Sequence, residues 1–376
     1  MRLEPLIAKK FEMKGSEKSR QSLLDDAMKK KYMISAILVS VMLLTAGCRQ
    51  GHEVSITESD TDRADISEDM QTQTEDGSST VTEASLPETL AQIPESYTEP
   101  SDEPGTLVEL TYDTYESMSY DAHDQVLHKR AIVYLPYGYS EDEQYYVFYL
   151  MHGGWSNETT YLGTPEQPNV FKNILDNGMA DGKIRKMIVV CPTYNNTSSQ
   201  DSSSYSLALR LTENYHNELV NDLMPAVEGT YSTYAQDTTP EGLRASRDYR
   251  AFCGFSMGSV ATWRTFQYCL DYFRYFMPSS GSLTSDGDAM ASTVKDSGHA
   301  WNDFFIFAAS GTEDFAYASF KNQIEAMADV GDGTFRWANN EREGNLYFLE
   351  QEGGTHSGEY AMEYFYNGLC WIWQNE

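Results

Sequence analysis

From about residue 105 onward, short apolar runs alternate with longer stretches of helical spacing. KRAIVYLPYGY (129–139) and YYVFYLMHG (145–153) read as strands two and three. The second is almost wholly apolar, as a strand buried on both faces requires. VFKNILDNGMADG (170–182) reads as a helix that stops at glycine, and KMIVVCPTY (186–194) as a buried strand. SLALRLTENYHNELVNDLMPAVEGTY (206–231) has the spacing of a long amphipathic helix with a proline near its end. RAFCGFS (250–256) reads as a short strand and MGSVATWRTFQYCLDYF (257–273) as a helix. YFMPSSG (275–281), FFIFAASG (304–311) and NLYFLEQEG (345–353) are further strands, with helices at about 316–329 and 358–374. This alternation predicts an α/β fold: a mostly parallel central sheet of about eight strands with helices on both faces. Ligands of such sheets sit beyond the carboxyl ends of the strands.

The aromatic residues are distributed unevenly, and that sets the domain count. Of 48, only Phe11, Tyr32 and Tyr97 precede residue 105. The expectation is one large folded domain, 105–376, behind a non-globular leader. Within the leader, residues 28–48 read MKKKYMISAILVSVMLLTAGC: three lysines, an apolar stretch of twelve residues, then Gly47-Cys48. Twelve apolar residues are too few for a hydrocarbon core of about 30 Å, so the segment reads as a signal peptide. Its ending resembles the lipobox of bacterial lipoproteins. The resemblance implies lipidation at Cys48 and a chain anchored to the outer face of a bacterial membrane. Residues 1–27 are a polar extension or a mis-called start. Residues 49–104 hold 15 acidic and two basic residues and one aromatic, which predicts a disordered, self-repelling tether.

Charge and cysteine usage narrow the partners. With 27 basic and 57 acidic residues the net charge is -30, which excludes a nucleic-acid binder and suits neutral polymers better than anionic ones. Cys191, Cys253, Cys269 and Cys370 show no C-x-x-C and no zinc spacing, so buried free thiols are expected.

The sharpest chemical signal is Gly254-Phe255-Ser256-Met257-Gly258, a G-x-S-x-G between a strand and a helix. Its glycines permit the tight turn that lifts a serine hydroxyl above a sheet. A serine nucleophile needs a base. His356 stands in the loop Gly353-Gly354-Thr355-His356 after the last strand, with His299 as its rival. The base needs an acid to hold its tautomer. Asp314 lies just past the preceding strand, and the adjacent Glu313 is the alternative. Ser, Asp, His is the α/β-hydrolase order. The oxyanion donors expected are the backbone N–H of Met257 and that of Gly154 in His152-Gly153-Gly154-Trp155, with Gly153 as neighbour. His152 is expected to hold the loop rather than to do chemistry.

Together these segments, with YLMHGG, IVVCPTYN, LDYFRYFMPSSG, FAASGTEDFAY and THSGEY, resemble carbohydrate esterase family one, and in particular the feruloyl esterase modules of bacterial xylanases. The resemblance runs from about Arg130 to the C-terminus. It implies a serine esterase that removes feruloyl groups from plant cell-wall polysaccharide such as arabinoxylan, with no metal or organic cofactor. Ser256, Asp314 and His356 fall on its catalytic positions, and Met257 and Gly154 on its oxyanion positions. Two positions depart from the pattern. Ser357-Gly358 follows the histidine where aromatics are frequent, and Ser282-Leu283-Thr284 follows the P-x-S-G turn where a tryptophan is frequent. Trp155, Tyr161 and Tyr194 are candidate replacement walls, or else sugar-stacking or core residues. Removal of acetyl groups from xylan is the alternative activity, and a non-catalytic carbohydrate-binding lipoprotein or an acyltransferase are the others.

Overall fold

A computed structural model describes residues 86–374. Cys48, the signal-peptide pattern and the tether as far as residue 85 lie outside the described residues. Eight strands form one sheet: β1 (Thr106–Tyr115), β2 (Val126–Leu135), β3 (Tyr146–Met151), β4 (Met187–Cys191), β5 (Arg250–Phe255), β6 (Tyr275–Ser279), β7 (Phe305–Gly311) and β8 (Leu346–Gln351). Their order is β1-β2-β4-β3-β5-β6-β7-β8. β2 runs antiparallel to both β1 and β4, and every pairing from β4 to β8 is parallel. This is the α/β-hydrolase sheet. β1 carries no continuous apolar run, because one face of this edge strand is largely exposed.

The two faces of the sheet bury separate cores, and β3 shows why its sequence reads as unbroken apolar. Val147, Tyr149 and Met151 enter one core; Tyr146, Phe148 and Leu150 enter the other. Successive side chains of a strand point to opposite faces, so a doubly covered strand needs both sets apolar. Helices α1 (Val170–Ala180) and α8 (Gly358–Leu369) cover one face. α2 (Tyr205–Glu218), α3 (Met224–Thr230), α5 (Met257–Cys269), α6 (Gly287–Ser297) and α7 (Tyr317–Asp329) cover the other, and the short α4 (Pro240–Ala245) precedes β5. The long helix expected over 206–231 is α2 and α3 joined by a π-turn at Leu219–Leu223. Pro225 has no N–H to donate to a preceding turn, and the wider π-turn accommodates that loss.

The expected tether boundary at 104 is corrected by the residues that precede β1. Leu86 and Tyr97 are buried, and residues 95–98 form a 3₁₀ turn. The Ala91 N–H donates to Asn367 Oδ1 and its carbonyl accepts from Asn367 Nδ2, both at 2.8 Å. Asn177 Nδ2 donates to the carbonyls of Tyr97 (3.2 Å) and Glu99 (2.9 Å). Side-chain amides on α1 and α8 thus satisfy a strap whose own composition could not hold it down.

At the amino end of the parallel strands, Arg250 and Glu228 form a buried ion pair, with Nε to Oε1 at 2.5 Å and Nη2 to Oε2 at 2.7 Å. Tyr149 and Thr233 hydroxyls donate to the same carboxylate, each at 3.1 Å. Arg250→Met is expected to lower unfolding free energy by about 3–5 kcal/mol, because it strands a buried carboxylate. Urea denaturation measures this, and a loss below about 1 kcal/mol would contradict it. Cys191, Cys253 and Cys269 are buried free thiols, and Cys370 is a half-buried one whose pKa burial raises to about 11.

Candidate active site

The loops at the carboxyl ends of β3, β5, β7 and β8 converge on Ser256. The serine takes φ 61° and ψ -118°, a strained combination for a residue with a Cβ. The turn is possible because the residues two positions to either side, Gly254 and Gly258, have no side chains. A Cβ on Gly254 would lie 2.4 Å from the Gly258 backbone, and one on Gly258 would lie 2.4 Å from the Met151 carbonyl oxygen. The G-x-S-x-G spacing is therefore the packing of β5 against the first turn of α5 and against β3. Gly281, in the turn after β6, closes the third side, where a Cβ would meet the Ser256 carbonyl oxygen at 2.3 Å.

His356 Nε2 lies 2.9 Å from Ser256 Oγ. Its Nδ1 lies 2.9 and 2.8 Å from the two carboxylate oxygens of Asp314. A carboxylate only accepts, so Nδ1 carries the proton and Nε2 is free to accept from the serine hydroxyl. The loops bearing acid and base are locked together. Glu313 N–H donates to the Gly354 carbonyl at 3.0 Å, and a Cβ on Gly311 would lie 2.2 Å from that same oxygen. Asp314 is buried and also accepts from the Ala316 N–H at 2.7 Å, whereas Glu313 is exposed. Of the two adjacent acids, Asp314 is therefore the one that reaches the imidazole. His299 does not approach the site: it lies before β7, at the amino end of the strand, and pairs with Asp271 at 2.9 Å.

Gly154 and Met257 both line the cleft with Ser256. Met257 opens α5, so its N–H is among those left free at a helix start, where the macrodipole favours negative charge. The arrangement can bind an ester carbonyl, form the Oγ–C bond as the Ser256 proton moves to His356 Nε2, and hold the displaced electron pair on oxygen. Collapse of that adduct returns the proton to the departing alcohol, and water then releases the acyl group by the same route. Among the described residues, no group of three or more His, Cys, Asp or Glu side chains is arranged to hold a metal ion.

The cleft has a volume of about 300 Å³ and three exposed aromatic rings at its rim: Trp155 (74% exposed), Tyr205 (62%) and Phe315 (81%). Trp155 was expected from sequence. Tyr205 and Phe315 were not, although an aromatic directly after the acid and another at an exposed helix start were visible signals. Tyr161 and Tyr194 are corrected as substrate walls. Tyr161 is buried edge-on against Phe365, their centroids 5.1 Å apart. Tyr194 is buried beneath the loop, stacked on His152, with its hydroxyl on the Gly153 carbonyl. Burial of His152 holds its pKa down at about 3, so it stays neutral.

A sheet of this topology carrying Ser256, His356 and Asp314 in hydrogen-bonded sequence defines a serine hydrolase of the α/β-hydrolase class. The family model Esterase matches residues 128–326, and the chain belongs to that family. It is 37% identical over 282 residues to endo-1,4-beta-xylanase Y of Acetivibrio thermocellus, across 73% of this chain and 24% of that protein. It is 33% identical over 171 residues to an endo-1,4-beta-xylanase/feruloyl esterase of Xylanibacter ruminicola, across 44% of this chain and 20% of that protein. The chain thus spans a quarter or less of these curated relatives. Among solved structures, a serine-to-alanine mutant of the feruloyl esterase module of Clostridium thermocellum, complexed with sinapinate, superposes with a TM-score of 0.66 at 35% identity. That match covers 78% of this chain and 96% of the other. A ferulic acid esterase of Anaeromyces mucronatus shares the fold, with a TM-score of 0.52 at 21% identity over 74% of this chain and 94% of that one.

Proposed function

We infer that this esterase removes feruloyl or related hydroxycinnamoyl groups from a plant cell-wall polysaccharide such as arabinoxylan. The observation that carries the reading is the rim of Trp155, Tyr205 and Phe315 around Ser256. Three large rings left in water are costly unless a flat apolar partner covers them, and an acetyl group is too small to do so. Phe315 rests on the His356 ring at 4.2 Å between centroids and leaves its other surface free for an aryl group. Of the two departures noted in the sequence, the one at Ser282 lines the same cleft as these rings. The relative whose feruloyl esterase module is complexed with sinapinate supports the same acyl class. The net acidic surface suits a neutral polysaccharide carrier.

Phe315→Ala and Trp155→Ala are each expected to lower kcat/KM for methyl ferulate about 2- to 13-fold, from the roughly 0.5–1.5 kcal/mol an aromatic pair adds to simple area burial. Turnover of acetylated xylan should change less than twofold. Wild-type enzyme that prefers acetylated xylan to methyl ferulate under the same conditions would overturn the assignment.

A further inference from the structure

The backbone carbonyl of Gly153 points away from the cleft and is held by two side chains that no substrate can reach. It accepts from the Tyr194 hydroxyl at 2.8 Å and from His152 Nδ1 at 2.7 Å. Both side chains are buried, and neither lines the cleft. The peptide joining Gly153 to Gly154 is trans, so its N–H points opposite to that carbonyl. Drawing the oxygen inward turns the Gly154 N–H outward, on the side where Gly154 meets Ser256 at the cleft wall. The loop is pressed close to the nucleophile: a Cβ on Gly153 would lie 3.5 Å from Ser256 Cβ.

We propose that Tyr194 and His152 are positioning residues for ester hydrolysis, orienting the Gly153–Gly154 peptide so that its N–H is fixed toward the oxygen that becomes negative when Ser256 attacks. The hydrogen bonds leave His152 one arrangement. Nδ1 faces an oxygen that only accepts, so it carries the proton. Nε2 then accepts from the Thr193 hydroxyl at 2.7 Å, and that hydroxyl oxygen accepts in turn from the Asn195 N–H at 3.0 Å. The other half of the loop is clamped as well. Trp155, at φ 56°, donates its N–H to the Ser202 carbonyl at 3.0 Å, and Ser202 Oγ donates to the Ser156 carbonyl at 2.7 Å. A peptide fixed on both sides needs no reorganisation as charge develops, which is the condition under which an oxyanion donor contributes most.

This inference rests on the serine-esterase chemistry of the site and not on the identity of the acyl group. Its test is Tyr194→Phe, assayed with p-nitrophenyl acetate and methyl ferulate, with phenylboronic acid as the probe of the tetrahedral adduct. The variant keeps the ring that stacks on His152 and loses only the hydroxyl. The kcat for p-nitrophenyl acetate is expected to fall about 10-fold with KM within twofold, and phenylboronic acid affinity to fall by a similar factor. Binding of ferulate, the product, should stay within twofold, a split that loss of packing alone does not produce. A folded Tyr194→Phe with wild-type kcat, or one that loses rate but keeps phenylboronic acid affinity, overturns the proposal. Thr193→Val, which removes the hydroxyl that holds His152 Nε2, is judged by the same two readouts if Tyr194→Phe does not fold. Wild-type enzyme active on p-nitrophenyl acetate but inert to methyl ferulate would contradict the acyl assignment alone, and the Tyr194 effect should still appear.

Discussion

Ser256→Ala is expected to lower turnover of methyl ferulate by about 10⁶-fold, the size of loss seen when a serine nucleophile is removed from an intact triad. The fold should not notice. The change deletes one oxygen whose partner, His356, remains held by Asp314 through two contacts of 2.8–2.9 Å. The glycines that make room for the turn are untouched. Thermal unfolding should therefore shift by no more than about 2 °C, within the few tenths of a kcal/mol expected of a partly exposed substitution. Ferulate should still bind, because the aromatic rim is unaltered. Turnover above roughly 1% of wild type would mean that another group performs the attack, and the catalytic reading would fall.

Asp314→Asn is expected to cost about 10³- to 10⁴-fold in kcat, with little change in KM. The amide presents an N–H to His356 where the carboxylate presented only acceptors. The imidazole answers by moving its proton to Nε2, which faces Ser256 Oγ at 2.9 Å and can no longer accept from it. The buried carboxylate also ceases to stabilise the imidazolium formed during attack. Glu313→Gln is the matched control: that side chain is exposed and should leave kcat within twofold. Equal losses from the two substitutions would show that the geometry around Asp314 is not the working one.

Some of this was readable from the chain alone because the physics is local. The G-x-S-x-G spacing needs no partner to be interpreted, since it reports two backbone approaches that exclude a Cβ. Strand β3 announces its double burial by having no polar position. A glycine pair before His356 after the last strand is likewise a local pattern, and the structure brings that residue to Ser256. Reading failed where the outcome depends on which way a loop side chain turns. Tyr194 follows β4, and composition does not say whether its hydroxyl meets substrate or the carbonyl of a glycine 41 residues earlier. Tyr161 is buried because Phe365 comes to meet it. The polar stretch 86–104 looks like part of a free tether until Asn177 and Asn367 supply the hydrogen bonds that hold it.

The sequence by itself determined the alternation of strands and helices, the nucleophile's turn and the order of the catalytic residues, because periodicity and steric exclusion act between near neighbours. Only the tertiary structure decided that Asp314 rather than Glu313 serves the imidazole, which aromatic rings face the cleft, and how the Gly153–Gly154 peptide is aimed. Those choices rest on contacts between segments tens to hundreds of residues apart, whose relative placement is a property of the packed whole.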